Sequence, residues 1–479
     1  MKHSSRLLIL SILFSMLCLS DASAQLSNGE LVLKSKAIAP VSSNDVPFWL
    51  WANQYGKVND EGVNAIQDVS YTSSHLTNSG LSFKSRFDVT LTNGINHSLN
   101  ISQMYINASY KKLEGTFGRF NDIQGLNDGE LGIGSMMKSR NASAMFGGRI
   151  GTNQFIEFPF TQGYFEFDFD VGHYWFDEDR YVEDVYLHSK SLYLQIDLSP
   201  LELRGGIIHN AMWGGVSPDF GQFPSTFNDY LRVVFAQGAR KNSTVTGEQE
   251  NSLGNTIAAF DYGILWEDDR IDLAITRLFY IEDRTGLLSR SGWDGQWSID
   301  LYFKKPTFLR NIRYDYIYTI RQDSKNYQPD GRADYNHHYL YRTGWTYHGN
   351  VIGIPLFTFD ESINQFTNNI LVGHSLGFIL NPSAQSEIKI IGTYTRNYGT
   401  CDDLLIDPDD ICSSEPPTLL EEAIPRKEAR RDTFFGFFGL SRTFNDKITA
   451  GVSLSMDILE GEENRSGFAF DISYDLFKN

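Results

Sequence analysis

Towards the C-terminal end, apolar and polar side chains alternate with a period of two. Phe468, Phe470, Ile472, Tyr474 and Leu476 fall on one face, with Ala469, Asp471, Ser473 and Asp475 between them. Successive side chains of a strand point to opposite sides, so this is a strand with a dry face and a wet one. The stretch before it repeats the pattern: Ile448, Ala450, Val452, Leu454, Met456 and Ile458 alternate with Thr449, Gly451, Ser453, Ser455 and Asp457. In a soluble sandwich the apolar row would face a second sheet. In a transmembrane barrel it faces lipid while the polar row faces a watery lumen. A barrel has no free edge in lipid only when its last strand pairs with its first, which suits a chain ending on such a strand.

The same rhythm recurs upstream. Leu81, Phe83, Phe87, Val89 and Leu91 oppose Lys84, Arg86 and Asp88, and Phe165, Phe167, Phe169 and Val171 oppose Glu166, Asp168 and Asp170. Leu192, Leu194, Ile196 and Leu198 oppose Tyr193, Gln195 and Asp197, and Ile312, Tyr314, Tyr316 and Tyr318 oppose Arg313, Asp315 and Thr319. Charges on the inner row favour a hydrated lumen over a sandwich core. The fold expected is all-β, a transmembrane antiparallel β-barrel of about 16–18 strands with short helical or plug elements. Short turns near Ser199-Pro200, Asp268-Asp269, Lys304-Pro306, Asn381-Pro382 and Asn445-Asp446 belong on the periplasmic side, and long connections near 120–140, 281–295, 321–345 and 398–432 outside.

Two segments break the rhythm. Residues 25–78 read as an N-terminal strand followed by a plug or periplasmic segment, with the cluster Val46-Pro47-Phe48-Trp49-Leu50-Trp51 ending in the turn Asn53-Gln54-Tyr55-Gly56; the barrel proper is read as 79–479. The cluster is either a plug against the wall or a ligand platform. An ordinary strand at 226–236 would put the short turns on opposite sides of the membrane. Phe227, Tyr230, Leu231, Val234 and Phe235 repeat instead at helical spacing, with Ser225 or Thr226 as cap. A long connection over 210–255 carrying a short helix, 226–236, tucked into the lumen is therefore expected.

Composition adds the compartment. Lys2 and Arg6 precede an apolar run from Leu7 to Leu19, and Ala22-Ser23-Ala24 supplies a cleavage pattern, so residues 1–24 read as a secretory signal cleaved after Ala24; lipidation at Cys18 is the weaker reading. Beyond it no run of about 18 apolar residues occurs, and a mean hydropathy of −0.30 still suits a barrel because only half of each strand meets lipid. The formal net charge of −18 opposes nucleic acid as a partner. Cys401 and Cys412, in an exported chain, read as one disulfide in the 398–432 loop.

No catalytic motif is evident: there is no Gly-x-Ser-x-Gly, no His-Glu-x-x-His and no phosphate-binding glycine loop, and neither a metal nor a cofactor is implied. The distinctive stretch is Gly205-Gly206-Ile207-Ile208-His209-Asn210-Ala211-Met212-Trp213-Gly214-Gly215, followed by Ser217-Pro218-Asp219. A Trp between closely packed glycines either caps a turn at the barrel mouth or offers a bare face for a sugar ring. Together with Pro47-Phe48-Trp49, Asn53-Gln54-Tyr55-Gly56, the segment from Lys138-Ser139-Arg140-Asn141-Ala142 to Tyr186-Leu187-His188, and Asn368-Asn369 before His374, this motif resembles the Wzi capsule-assembly family in its Bacteroidetes form. The resemblance implies a lectin-like, non-enzymatic barrel in the cell outer membrane that binds or organises capsular or other surface polysaccharide. Outer-membrane lipid and the barrel assembly machinery are then its further partners. The polysaccharide-binding candidates, chosen from chemistry and motif position, are His209, Trp213, Asp219, Arg232, Asn369 and His374. Two other readings stay open: a porin-like channel for small solutes and an outer-membrane lipid-modifying enzyme.

Overall fold

The computed structural model describes residues 29–93, 97–239, 253–282, 292–305, 308–322, 335–400 and 430–477. The signal segment and the cysteine pair Cys401 and Cys412 lie outside the described residues. Within them, 18 antiparallel strands close into a barrel. The closing seam joins Gly29–Pro40 to Arg465–Phe477, with Leu33 opposite Tyr474 and Ala37 opposite Phe470. Every other wall strand pairs with its sequence neighbours, and a two-residue strand, Ile156–Glu157, adds to the edge of Phe165–Trp175. The apolar row faces out: Val452, Leu454, Met456, Ile458, Phe468 and Phe470 are all exposed.

Short turns at 77–80, 111–112, 199–200, 268–270, 384–385 and 445–447 gather at one end, and the strand ends that flank the long connections 121–144, 214–254, 319–370 and 398–430 lie at the other. Segment 25–78 departs from its expected role. Gly29–Pro40 and Asn64–Leu76 are full wall strands paired with each other, so the wall begins some fifty residues before the expected boundary. Only the connection between them enters the lumen. Its single helical turn, α1 (Phe48–Trp51), stacks Phe48 on inward-facing Phe435 at 4.3 Å. Alternation is blurred in both wall strands by Ile38 and Ile66 on the inner row and Ser35 and Gln67 on the outer one, which hid them from a periodicity reading.

The expectation of a hydrated lumen is also corrected in the half nearer the long connections. Residues 121–144 fold inward, and Leu131, Ile133, Met136 and Met137 join Tyr174, Tyr280, Tyr335, Trp345 and Ile354 in one buried cluster. Irregular chain in such a place must find partners for its backbone amides. Wall carboxylates supply them: Leu126 N donates to Asp261 Oδ2 (2.7 Å), Ile133 N to Asp315 Oδ2 (3.0 Å) and Phe48 N to Asp457 Oδ2 (2.9 Å). Arg313 ties Asp315 (3.0 Å) and Asp300 (2.9 Å) together and donates to the carbonyl of Asn127. At the other edge of the plug Asp122 accepts from Lys138 (2.8 Å), Arg149 (3.3 Å) and the Tyr174 hydroxyl (2.6 Å). Burial alone would raise its carboxyl, but the two cations outweigh that and hold it below the usual range.

The long-connection helix, α2 (Phe227–Val234), starts where the spacing placed it, with Thr226 and Asp229 forming a reciprocal capping box. Its position is a further correction. Strand Leu201–Trp213 turns its Ile208, Asn210 and Met212 inward, and Ile207, His209, Ala211 and Trp213 outward. The last two pack with Val233, Ala239 and Leu253, so α2 lies against the outer wall and not in the lumen. Gly214 and Gly215 make that exit, at φ 68° and 96°. A Cβ on Gly215 would stand 2.5 Å from the carbonyl oxygen of Glu183, which only glycine tolerates.

Removing the Arg313 guanidinium strands the buried carboxylate of Asp315 and releases Asp300, which keeps 26% of its side chain exposed, a loss of about 3–5 kcal/mol. Arg313→Ala is therefore expected to loosen the plug. In planar bilayers the native barrel should pass almost no current, and the variant a measurable, fluctuating one, while heat-modifiable gel mobility shows both barrels folded. A silent Arg313→Ala barrel would refute the assignment of this residue as the plug's anchor.

Candidate carbohydrate-binding face

Three long connections meet at the same end of the barrel, and each contributes a side chain to one exposed cluster. Arg180, from 176–185, is buried, pairs with Asp177 (3.3 Å), donates to the carbonyls of Gly344 (2.6 Å) and Thr346 (2.7 Å), and lies 4.2 Å from the Phe176 ring. With the Tyr181 amide bonded to Thr343 Oγ1 (2.9 Å), this locks 176–185 onto 335–351. Connection 214–254 brings Asp219, whose backbone amide donates to Ser217 Oγ (3.3 Å). From 319–370 comes Arg342.

The three converge at the surface. Tyr181 donates its phenol to Asp219, Arg342 pairs with the same carboxylate at 3.1 Å, and its guanidinium stands 4.4 Å over the Tyr181 ring. The hydrogen bond to Asp219 holds the Tyr181 phenol above its ordinary range, with partial desolvation adding to it. Arg342 and Asp219 keep 44% and 49% of their side chains exposed, which leaves both able to meet a ligand. Phe220 and Tyr339 are exposed nearby in sequence, while Phe223 and Tyr341 pack beneath at 5.4 Å, with the Tyr341 hydroxyl on the carbonyl of Gly214 (3.2 Å). An aromatic face, a carboxylate and a guanidinium side by side suit a sugar. The ring stacks the apolar face, the carboxylate accepts from paired hydroxyls, and the guanidinium takes an acidic substituent.

The six residues singled out from the sequence do not form one site. Asp219 belongs to the exposed cluster. His209, Trp213 and Arg232 belong to the outer wall and its covering helix: Trp213 is enclosed by Tyr186 (5.2 Å) and Tyr230 (5.5 Å), and Arg232 is turned onto the carbonyl of Gly238 (2.9 Å). Asn369 is fully buried, donating to the carbonyl of Tyr335 (2.9 Å). His374 shares the outward row with Tyr316 and Tyr394, and its Nδ1 meets the Tyr314 hydroxyl at 2.8 Å. It is part of an aromatic girdle and stands away from the exposed cluster. Tyr181 and Arg342 escaped notice because neither lies in a motif; an isolated Tyr and Arg in separate loops acquire meaning only when the fold joins them.

A cavity of about 690 Å³ opens at the opposite, short-turn end, with Leu126, Asp128 and Glu130 of the plug among its lining. Its rim carries Glu202, Glu267, Asp272 and Glu387 against Arg204 and Arg310, and Arg204 is already paired with Glu202 (2.7 Å). An excess of carboxylates makes this mouth a poor seat for an anionic polymer.

The profile described as "Capsule assembly protein Wzi" matches residues 46–364. The chain belongs to the Wzi capsule assembly family. Among solved structures it is similar to Wzi of Escherichia coli, described as a carbohydrate-binding β-barrel involved in group 1 capsule assembly. The two share 13% identity over 99% of this chain and 89% of that one, with a TM-score of 0.57. It is also similar to OpdL of Pseudomonas aeruginosa, at 10% identity over 94% of this chain and 99% of that one, with a TM-score of 0.49. No curated protein matches by sequence. Membership of the family places the barrel in the outer membrane, and its long connections therefore face outside.

Next to this face, His338 packs against Tyr339 and Tyr341, with centroids 4.8 and 5.9 Å away. Burial lowers its imidazole to about 4, and His337 adds to the effect. An unfolded histidine titrates near 6.5, so between the two values the open loop binds a proton that the folded loop refuses; stability is full above pH 7 and falls as pH drops towards 4. Amide exchange at 339–341, corrected for its intrinsic pH dependence, should accelerate on going from pH 7 to 4.5, and His338→Gln should flatten that response. Equal exchange at both pH values would contradict it.

Proposed function

We propose that this barrel binds and organises capsular or other surface polysaccharide on its extracellular face, as a lectin-like protein and not as an enzyme. The observation that carries the reading is the cluster of half-buried Tyr181 with exposed Asp219 and Arg342, held from beneath by buried Arg180. Family membership and the carbohydrate binding described for Wzi of Escherichia coli support it. The packed plug weighs against a solute channel, since the wall charges that would line a pore are spent on plug amides. A lipid-modifying enzyme would need a nucleophile and base together at the lipid boundary. Among the outward histidines, the two with a side-chain hydroxyl in reach, His188 and His374, meet tyrosines and no serine. The partners of this reading are the polysaccharide, the surrounding outer-membrane lipid and the barrel assembly machinery that inserts such chains.

On a glycan array, purified barrel should bind acidic surface polysaccharide. Arg342→Ala and Tyr181→Ala should each weaken binding by roughly 5- to 30-fold, a loss of about 1–2 kcal/mol for a cation–π or charge-assisted contact. His374→Ala, on the lipid side, should leave it unchanged. A deletion strain should shed capsule into the medium and recover retention with the native gene. Normal retention together with no glycan binding by the purified protein would overturn the proposal.

A further inference from the structure

The outward row of the barrel should be apolar wherever it meets hydrocarbon, and over one sector it is not. On strand Tyr186–Leu198, Leu192 and Leu194 face out and are about half exposed, and the next two positions on that row are Lys190 and His188. On strand Leu201–Trp213 the row runs Ile207, His209, Ala211, Trp213, and on Phe165–Trp175 it runs Val171, His173, Trp175. Strand pairing sets these side by side: Lys190 opposes both Val171 and His209, and His188 opposes His173 and Ala211. The polar patch begins one step, about 7 Å, beyond Ile207 towards the outer surface. Exposed to acyl chains, a lysine there would cost up to about 2–4 kcal/mol, less near the interface.

The patch is not exposed, because α2 covers it. Lys190 Nζ donates to the carbonyl of Val234 in the last turn of α2, and Tyr230 projects down among the rings, 5.5 Å from each of His173, His188 and Trp213. Its hydroxyl reaches His188 Nδ1 at 3.5 Å. Tyr230 and Val233 define the face turned to the wall. The opposite face carries Phe227, Leu231 and Phe235, 74%, 40% and 69% exposed, at the four-residue spacing that lines up side chains on one side of a helix. Such a stripe facing water would be unfavourable. Here it stands outside the wall, continuous with the apolar band of Ile207, Leu192, Leu194 and Val171.

We propose that α2 lies in the outer leaflet, its Phe227–Leu231–Phe235 face in contact with lipid acyl chains while its Tyr230–Val233 face seals the polar patch of the barrel wall. The occupant of the exposed stripe is lipid because the stripe extends a surface that already faces lipid. The helix thus restores the hydrophobic belt where the wall interrupts it. It also holds the turn that precedes it, and with it Asp219, at the membrane surface. An amphipathic helix lying along the interface has the composition seen here, apolar on one side and polar-contacting on the other.

The test uses the native chain reconstituted into phospholipid vesicles that include a lipid with a photoactivatable diazirine on its acyl chain. After irradiation, peptide mass spectrometry should place adducts on Phe227, Leu231 and Phe235 as well as on Leu192 and Leu194, and none on Phe220 or Tyr339. Leu231→Glu should cut the adducts on Phe227 and Phe235 several-fold while those on Leu192 and Leu194 persist, which shows the barrel still inserted. Adducts on Leu192 and Leu194 with none on α2 would overturn the proposal. So would a Leu231→Cys barrel that forms cross-linked dimers in the vesicles with α2 shielded from lipid, since the stripe would then belong to a second copy.

Discussion

Everything above the middle of this barrel depends on carboxylates that point inward and receive backbone amides. A chain folded into a closed lumen loses water as a hydrogen-bond partner, and each unmet amide then costs on the order of 1–3 kcal/mol. Asp261, Asp315 and Asp457 stand on three different wall strands and each takes one such amide from the plug. Because acceptors fixed on a rigid wall cannot follow a wandering loop, they select one path for it. The apolar contacts of Met136, Trp345 and their neighbours then complete a core whose polar geometry is already set.

That core is also what makes the outer surface usable for recognition. Trp345 donates from Nε1 to the carbonyl of Met137 (2.7 Å), and Ser139 Oγ donates to that of Gly353 (2.6 Å), so the plug and the longest extracellular connection are one packed unit. Arg180 rests on that unit through the carbonyls of Gly344 and Thr346, and half-buried Tyr181 and exposed Arg342 adjoin these anchor points in sequence. Long loops ordinarily pay conformational entropy when they bind a ligand. Here much of the ordering is done by folding, and the ring, carboxylate and guanidinium are already in register.

Much of the architecture could be read from alternation alone. The strand count, the seam at the last strand, the grouping of short turns and a helix capped at Thr226 all follow from period-two rows and one departure to helical spacing. What alternation does not say is what the polar row touches. Arg313 and Asp315 look the same whether they line a water-filled pore or clamp a plug, because both environments accept charge; only the three-dimensional path of 121–144 distinguishes them. Asn369 and His374 read alike as polar residues near a motif, yet Asn369 ends the buried connection before strand Leu371–Ser383, bonded to Tyr335, while His374 stands on the outward row of that strand. The exposed cluster was beyond reach for a different reason. Tyr181, Asp219 and Arg342 are joined by loop geometry, which leaves no period in the sequence.

The position of α2, by contrast, had left a mark in the sequence. On a strand whose outward row reads Tyr186, His188, Lys190, Leu192, Leu194, two polar residues interrupt what should be grease, and the neighbouring strands interrupt at the same height with His173 and His209. One stray polar residue on a lipid-facing row can snorkel to the interface. Several in register cannot all do so, least of all short imidazoles, and the patch must be covered by protein. The cover must then satisfy the patch beneath and the lipid above, which demands a segment with two faces. An amphipathic helix within reach in the following connection meets that demand, and Phe227, Leu231 and Phe235 on its far side show that the surface it replaces was a hydrophobic one.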